Sequence, residues 1–295
     1  MEATSRVDDK LADALRQYAV ANFSGVLRVD GRPGGTVYFS SGRISACETS
    51  GAPSLEVVLL RSRQIAEADW DAAFSAAAVG GRQITAELVG RELIPAGELE
   101  ALLRVALADA MFALLSGRVD GWLEAPQADC LLPLTPSARS GWLIAEATRR
   151  GQVLAAFPGP ALSAQDRITA APGAGRTGYR LGPDQDAILT LADGRRTVRD
   201  VAFALGRGLY ETMLELARMR AGNVVVITPH GKEPLPPGMP VSAEPDDGSD
   251  DRTVTGLPRR RKDRAAAAPR AVDAGRRNLT AIRMLWPRSE GSTTQ

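Results

Sequence analysis

The chain has one histidine, two cysteines, few aromatic residues and no charge of one sign in excess. Each shortage closes a class of function. With His230 as the only imidazole, a serine or cysteine hydrolase would have to build its general base around that one residue. His230 lies between an apolar strand-like stretch and a long polar tail, with no nucleophile or carboxylate pattern beside it, so it reads as a surface residue. Cys47 and Cys130 are far apart in the sequence and cannot form a disulfide framework. One histidine and two dispersed cysteines also fall short of the three or four N/S ligands of a typical zinc site. Both thiols stand among apolar residues and read as buried, inert groups of a protein in a reducing cytoplasm.

Aromatic residues make up 5% of the chain, so a core must come mainly from Ala, Leu and Val. Thirty-six basic side chains face 35 acidic ones, a net charge of +1, so the whole chain has no bias toward nucleic acid or anionic membranes. No stretch of about 18 apolar residues is present, and the opening MEATSRVDDK is polar rather than a signal sequence. These readings place the chain in the cytoplasm, without a membrane span.

At 295 residues there is room for two modest domains. Residues 8–23 carry Leu11, Leu15, Tyr18 and Ala19 at helical spacing. The period then shortens. Gly25 to Val29, Thr36 to Phe39 and Arg43 to Cys47 read as three strands, joined by a Gly/Pro turn and by Ser41-Gly42, a three-stranded meander. Helical patterns follow at Ser54–Ser62, Glu67–Ala78, Ile84–Leu93 and Ala96–Leu115, the last presenting Leu99, Leu102, Leu103, Ala106, Ala110 and Leu114 on one wide face. A strand over Val119–Ala125 and a helix over Ser137–Phe157 complete the first module, an α+β arrangement.

Gly25, Leu27 and Val29 fall in a G-x-L-x-V strand, and Tyr38, Phe39, Gly42, Arg43 and Ile44 in a Y-F-x-x-G-R-I segment. With the later WLIAEATRR stretch, this pattern resembles the PATAN domain, a family named for the N-terminal part of PatA-type response regulators. The resemblance covers residues 8–157 and implies a non-enzymatic, protein-binding regulatory role in signal transduction. It brings no catalytic residue and no cofactor. The receiver domain that accompanies many members is not recognisable in this chain.

Residues 158–178, rich in Pro, Gly, Ala and Ser, read as a linker. Residues 179–229 give helix, helix, turn, helix, strand, the order of a winged-helix-like module, with Thr197 and Asp200 resembling the N-terminal cap of the second helix. Its third helix has Leu209, Met213, Leu216 and Ala217 for the core. Tyr210, Glu211, Thr212, Glu215, Arg218 and Arg220 remain for the outside. Arg195, Arg196, Arg199, Arg207 and Arg218 are candidate contacts to nucleic acid or an acidic partner. A DNA-binding transcription regulator is therefore the rival to a protein-binding one.

Residues 230–275 form a charged, Pro-rich segment expected to be disordered. Its basic run, Arg259, Arg260, Arg261, Lys262 and Arg264, could contact phosphates or acidic groups. Residues 276–288 carry Leu279, Ile282, Leu285 and Trp286 at helical spacing, a candidate docking motif or short amphipathic helix, and residues 289–295 read as a disordered end. An unknown protein is the principal expected partner. No metal and no cofactor are expected.

Overall fold

The computed structural model describes residues 9–126, 128–172 and 181–230. The first helix, α1 (Asp9–Val20), buries Leu11 and Leu15 completely. It leads into β1 (Gly25–Arg32), β2 (Gly35–Ser40) and β3 (Arg43–Thr49), the expected antiparallel meander. The β2–β3 turn has φ of 49° at Ser41 and 73° at Gly42, the left-handed pair that a two-residue hairpin matched to strand twist requires. A Cβ on Gly42 would also lie 2.5 Å from the carbonyl oxygen of Ala19, so the turn sits tight against the end of α1.

The meander is the centre of a wider sheet. β4 (Arg118–Ala125) pairs along β1, and β5 (Ala138–Arg139) pairs with Arg43 and Ile44 of β3, giving the order β4-β1-β2-β3-β5. Leu27, Val29, Val37, Phe39 and Ile44 are buried on the helical side. The opposite side carries a cross-strand row of Leu123, Arg28, Thr36 and Glu48, with Leu123 67% exposed.

Between β3 and β4 run α2 (Leu55–Arg61), α3 (Glu67–Gly80), α4 (Ile84–Gly90) and α5 (Ala96–Leu115). They form two copies of one helix pair, 29 residues apart. In both copies the first helix ends on a non-glycine residue with positive φ, 59° at Arg63 and 58° at Glu92. The next N–H in each, Gln64 and Leu93, donates to the carbonyls of Leu59 and Leu88 at 3.0 Å. Leu55, Leu59, Ile65 and Trp70 are buried in one copy, and Ile84, Leu88, Ile94 and Leu99 in the other. α4 is shorter than the helix expected over Ile84–Leu93, because this left-handed turn ends it at Gly90. The copies differ further along: Leu103 is 7% exposed, whereas Phe74, its counterpart in α3, is 47% exposed.

α5 is the central helix. Its second half is buried on every side, from Leu107 through Leu115. It packs against β3 and against α6 (Ser140–Ala155), whose start is displaced from the expected Ser137 because residues 138–139 pair as β5.

The stretch read as a linker contains a strand, β6 (Arg167–Ala170). After it come α7 (Pro183–Leu191), β7 (Asp193–Thr197), α8 (Val198–Leu205), α9 (Leu209–Ala221) and β8 (Val225–Thr228). The sheet order is β7-β6-β8, so β6 is its middle strand. β7 was also absent from the expected order. α8 starts on the expected cap, with Asp200 N–H donating to Thr197 Oγ1 at 3.1 Å and Thr197 N–H donating to the Asp200 carboxylate at 3.0 Å. The described residues lie within one compact unit ending at Lys232. The basic run Arg259–Arg264 and the motif Leu279, Ile282, Leu285 and Trp286 lie outside the described residues.

Candidate functional site

Two places combine geometry and chemistry: a buried ionic joint between α5 and α9, and an acidic-rimmed cleft beside β3.

At the joint, α5 places Asp109 in an otherwise uncharged run from Val105 to Gly117. Asp109 is 3% exposed, and Arg150 on α6 is 7% exposed. Arg150 Nη1 donates to Asp109 Oδ1 at 3.1 Å, and Arg150 Nε donates to Glu146 at 2.9 Å. The Asp109 carboxylate also accepts the first two N–H groups of α9, from Leu209 at 2.5 Å and Tyr210 at 2.9 Å. A carboxylate here caps orphan helix donors and faces the positive end of the helix dipole. Burial pushes the Asp109 carboxyl up, and Arg150 and the two N–H groups pull against it. Tyr210 completes the joint, its ring 4.8 Å from the Arg150 guanidinium and edge-on to Phe112 at 5.7 Å. The lone acid in an apolar helical run was the available signal for this site: a buried charge has to be paired. The partners, Arg150 and the α9 terminus, lie 41 and about 100 residues away and carry no local mark.

The joint changes the reading of α9. Thr212, expected outside, is 1% exposed and donates its hydroxyl to Gly208 O at 2.9 Å. Tyr210 is half-buried. The candidate arginines are largely engaged. Arg207 is buried against Asp184. Arg196 pairs with Asp193 at 2.7 Å and Arg218 with Glu215 at 3.2 Å. Arg199 lies over the Phe203 ring at 5.2 Å. Arg195 is exposed. Of these five, Arg218 alone lies on α9, and the helix turn that would enter a major groove is docked on Asp109.

The residues of the Y-F-x-x-G-R-I segment serve the fold. Gly25 opens β1 where a Cβ would meet the Phe23 ring at 2.6 Å. Leu27, Phe39 and Ile44 are core. Arg43 Nε donates to Ser137 O at 2.8 Å, fastening β3 to the segment before β5. Tyr38 OH donates to Glu48 at 2.9 Å on the outer face. Burial first, then this bond to Glu48, pushes the Tyr38 phenol up to about 12.

Beyond Ile44 the far edge of β3 is nearly bare. Leu134 N–H donates to Ser45 O at 2.8 Å, and among the described residues no strand pairs with residues 46–49 on that side. A cleft of about 250 Å³ opens there. One wall is Ser45–Thr49, and the other is the α5 face of Leu103, Ala106, Leu107 and Ala110. The start of α2 and Leu131-Leu132 close its ends. Its charged lining residues are Glu48 and Glu56, both acidic.

Cys47 lines this cleft and Cys130 lies close by; both are half-buried free thiols. Burial pushes Cys47 up to about 12 and Cys130 up to about 11. At pH 8 the thiolate fractions therefore fall about a thousandfold and a hundredfold below that of an ordinary cysteine. Ellman's reagent on the native chain is expected to titrate both thiols slowly, and quickly once guanidinium unfolds it. Rapid native reaction of either thiol would contradict the burial.

Among the described residues no group of three His, Cys, Asp or Glu side chains is placed to hold a metal ion, and no helix is long and apolar enough to cross a membrane. No family model, no curated protein and no solved structure matches the chain.

Proposed function

We propose that the chain is a non-enzymatic regulatory protein of the bacterial cytoplasm that acts by binding another protein through the β3–α5 cleft. One observation carries this reading: an apolar cleft that opens beside a stretch of β3 with no outward strand partner among the described residues. Exposed edges attract added strands and are usually blunted, covered or used. The PATAN-like segment, with its implied role in signal transduction, agrees with this. The free thiols support a cytoplasmic setting.

The rival reading, transcription regulation through duplex DNA on α9, has less behind it. The first turn of that helix is occupied by Asp109, and three of its candidate arginines are paired with acids. Two measurements on the full chain separate the readings. Immobilised wild-type chain is expected to retain from its native lysate at least one protein that an Ala106→Arg variant does not. Fluorescence anisotropy with a mixed-sequence duplex is expected to stay flat at low salt. Equal retention by both forms, together with DNA binding that falls steeply with salt, would replace protein binding with DNA binding.

A further inference from the structure

The cleft has the form of a slot between a strand edge and a helix, and its composition narrows what fits. On one side, residues 46–49 of β3 have no strand partner outward of β2 among the described residues. On the other, Leu103, Ala106, Leu107 and Ala110 of α5 offer apolar atoms with no hydrogen-bonding side chain. Two small alanines leave the space that two more leucines would fill. The rim is acidic: Glu48 is exposed at the outer lip and Glu56 stands in the first turn of α2. Asp129 is exposed beside Cys130, near Glu48. Arg28, a cation on the outer face, lies beyond Thr36 in the same cross-strand row as Glu48.

We infer that the cleft takes an extended segment of a partner protein that adds to β3 as a further strand, places an apolar side chain against α5, and sets a lysine or arginine between Glu48 and Glu56. This rests on the protein-binding reading above and specifies its partner. Strand addition supplies affinity through main-chain hydrogen bonds, while alternate side chains supply selectivity. The alternation follows from strand geometry: if one side chain points into the slot, its neighbours point outward, toward the acidic lips. The free stretch admits three to four residues, which matches a short linear segment better than a folded surface. Thr49 closes its end, because Thr49 Oγ1 donates to Gly34 O at 2.7 Å and accepts Gly51 N–H at 3.1 Å, turning the chain away.

The test uses the full chain and three fluorescein-labelled hexapeptides: one alternating lysine and valine, one alternating glutamate and valine, and the lysine–valine peptide N-methylated at alternate amides. Anisotropy is expected to show the lysine–valine peptide binding at least tenfold tighter than either of the others. Amide shifts on titration are expected to centre on residues 45–49. Glu48→Lys with Glu56→Lys is expected to weaken binding at least tenfold, with a far-UV dichroism spectrum unchanged from wild type showing that the fold is retained; Glu48 is exposed and Glu56 half-buried. Ala106→Arg, which fills the slot, should abolish it. Equal binding of the N-methylated peptide overturns strand addition, and equal binding of the glutamate–valine peptide overturns the basic preference. If no peptide binds while the lysate partner is still lost on Ala106→Arg, strand addition falls and protein binding at the cleft stands. If both fail, both fall.

Discussion

Asp109→Ala is expected to cost about 3–5 kcal/mol of unfolding free energy, the usual penalty for breaking a buried ion pair from one side. The substitution strands Arg150 in the interior with only Glu146 as a charged partner, and removes the acceptor from the first two N–H groups of α9. Buried donors left without a partner add to the cost. Asp109→Asn keeps the shape and one acceptor oxygen, and should lie between alanine and wild type. Urea unfolding followed by tryptophan fluorescence gives the number. A loss under about 1 kcal/mol for alanine would mean that the α5–α9 joint is dispensable and that α9 is held by its apolar face alone. A second readout separates docking from general stability. Amides at the start of α9 should exchange faster in Asp109→Asn than those in the middle of the helix, where Leu216 and Ala217 stay buried.

Gly206→Val should be nearly as damaging, at about 3 kcal/mol, or roughly 6–12 °C in melting temperature for a folded unit of this size. Gly206 ends α8 with φ of 62°, a left-handed conformation that costs an L-residue about 1–2 kcal/mol. Its missing Cβ also leaves room for α2: an added carbon would stand 2.4 Å from Arg61 Cβ and 3.0 Å from Ser62 N. Overpacking of that kind costs about 1–3 kcal/mol more. Gly206→Asn separates the two contributions, since asparagine tolerates the left-handed region but still carries the Cβ. If asparagine matches glycine in a thermal melt, the close approach of α2 and α8 is looser than the geometry says.

These two sites sit where sequence reading was weakest. The α+β class, the meander and its Ser41-Gly42 turn, and the Thr197–Asp200 cap were legible because each is written within a few residues. Period-two alternation, paired left-handed turn residues and a hydroxyl three residues before an acid are local signals. The 29-residue repeat is faint in the sequence: Leu59 matches Leu88 and Ile65 matches Ile94, but Trp70 stands against Leu99 and Ala73 against Leu102. The shared left-handed turns at Arg63 and Glu92, each followed by the same backbone hydrogen bond, make the copies plain. β6 reads as linker in the sequence because its four residues, Arg167–Ala170, carry one buried apolar side chain, Ile168. Its strand character comes from partners later in the chain, and β propensity without those partners is a weak guide. The arginines from Arg195 to Arg218 suggest a cationic surface by residue type alone, whereas in the fold Asp184, Asp193 and Glu215 pair with three of them. The cleft was invisible for a different reason. It is made where no strand among the described residues pairs with residues 46–49, and a bare edge leaves no trace in the residues that border it.

The position of β6 decides where the chain can be cut. β7 and β8 are each bonded to β6, and neither is bonded to the other. A fragment beginning at residue 179, the natural boundary on composition, would keep both outer strands and discard the one that joins them. Asp166 would go too, and with it the carboxylate that accepts the N–H groups of Ser163 and His230. Such a fragment would expose two unmatched strand edges and a bare α9 terminus, the features of a protein that precipitates on expression. A cut at residue 179 therefore does not release a self-contained module, and activity is better mapped by point substitution than by deletion.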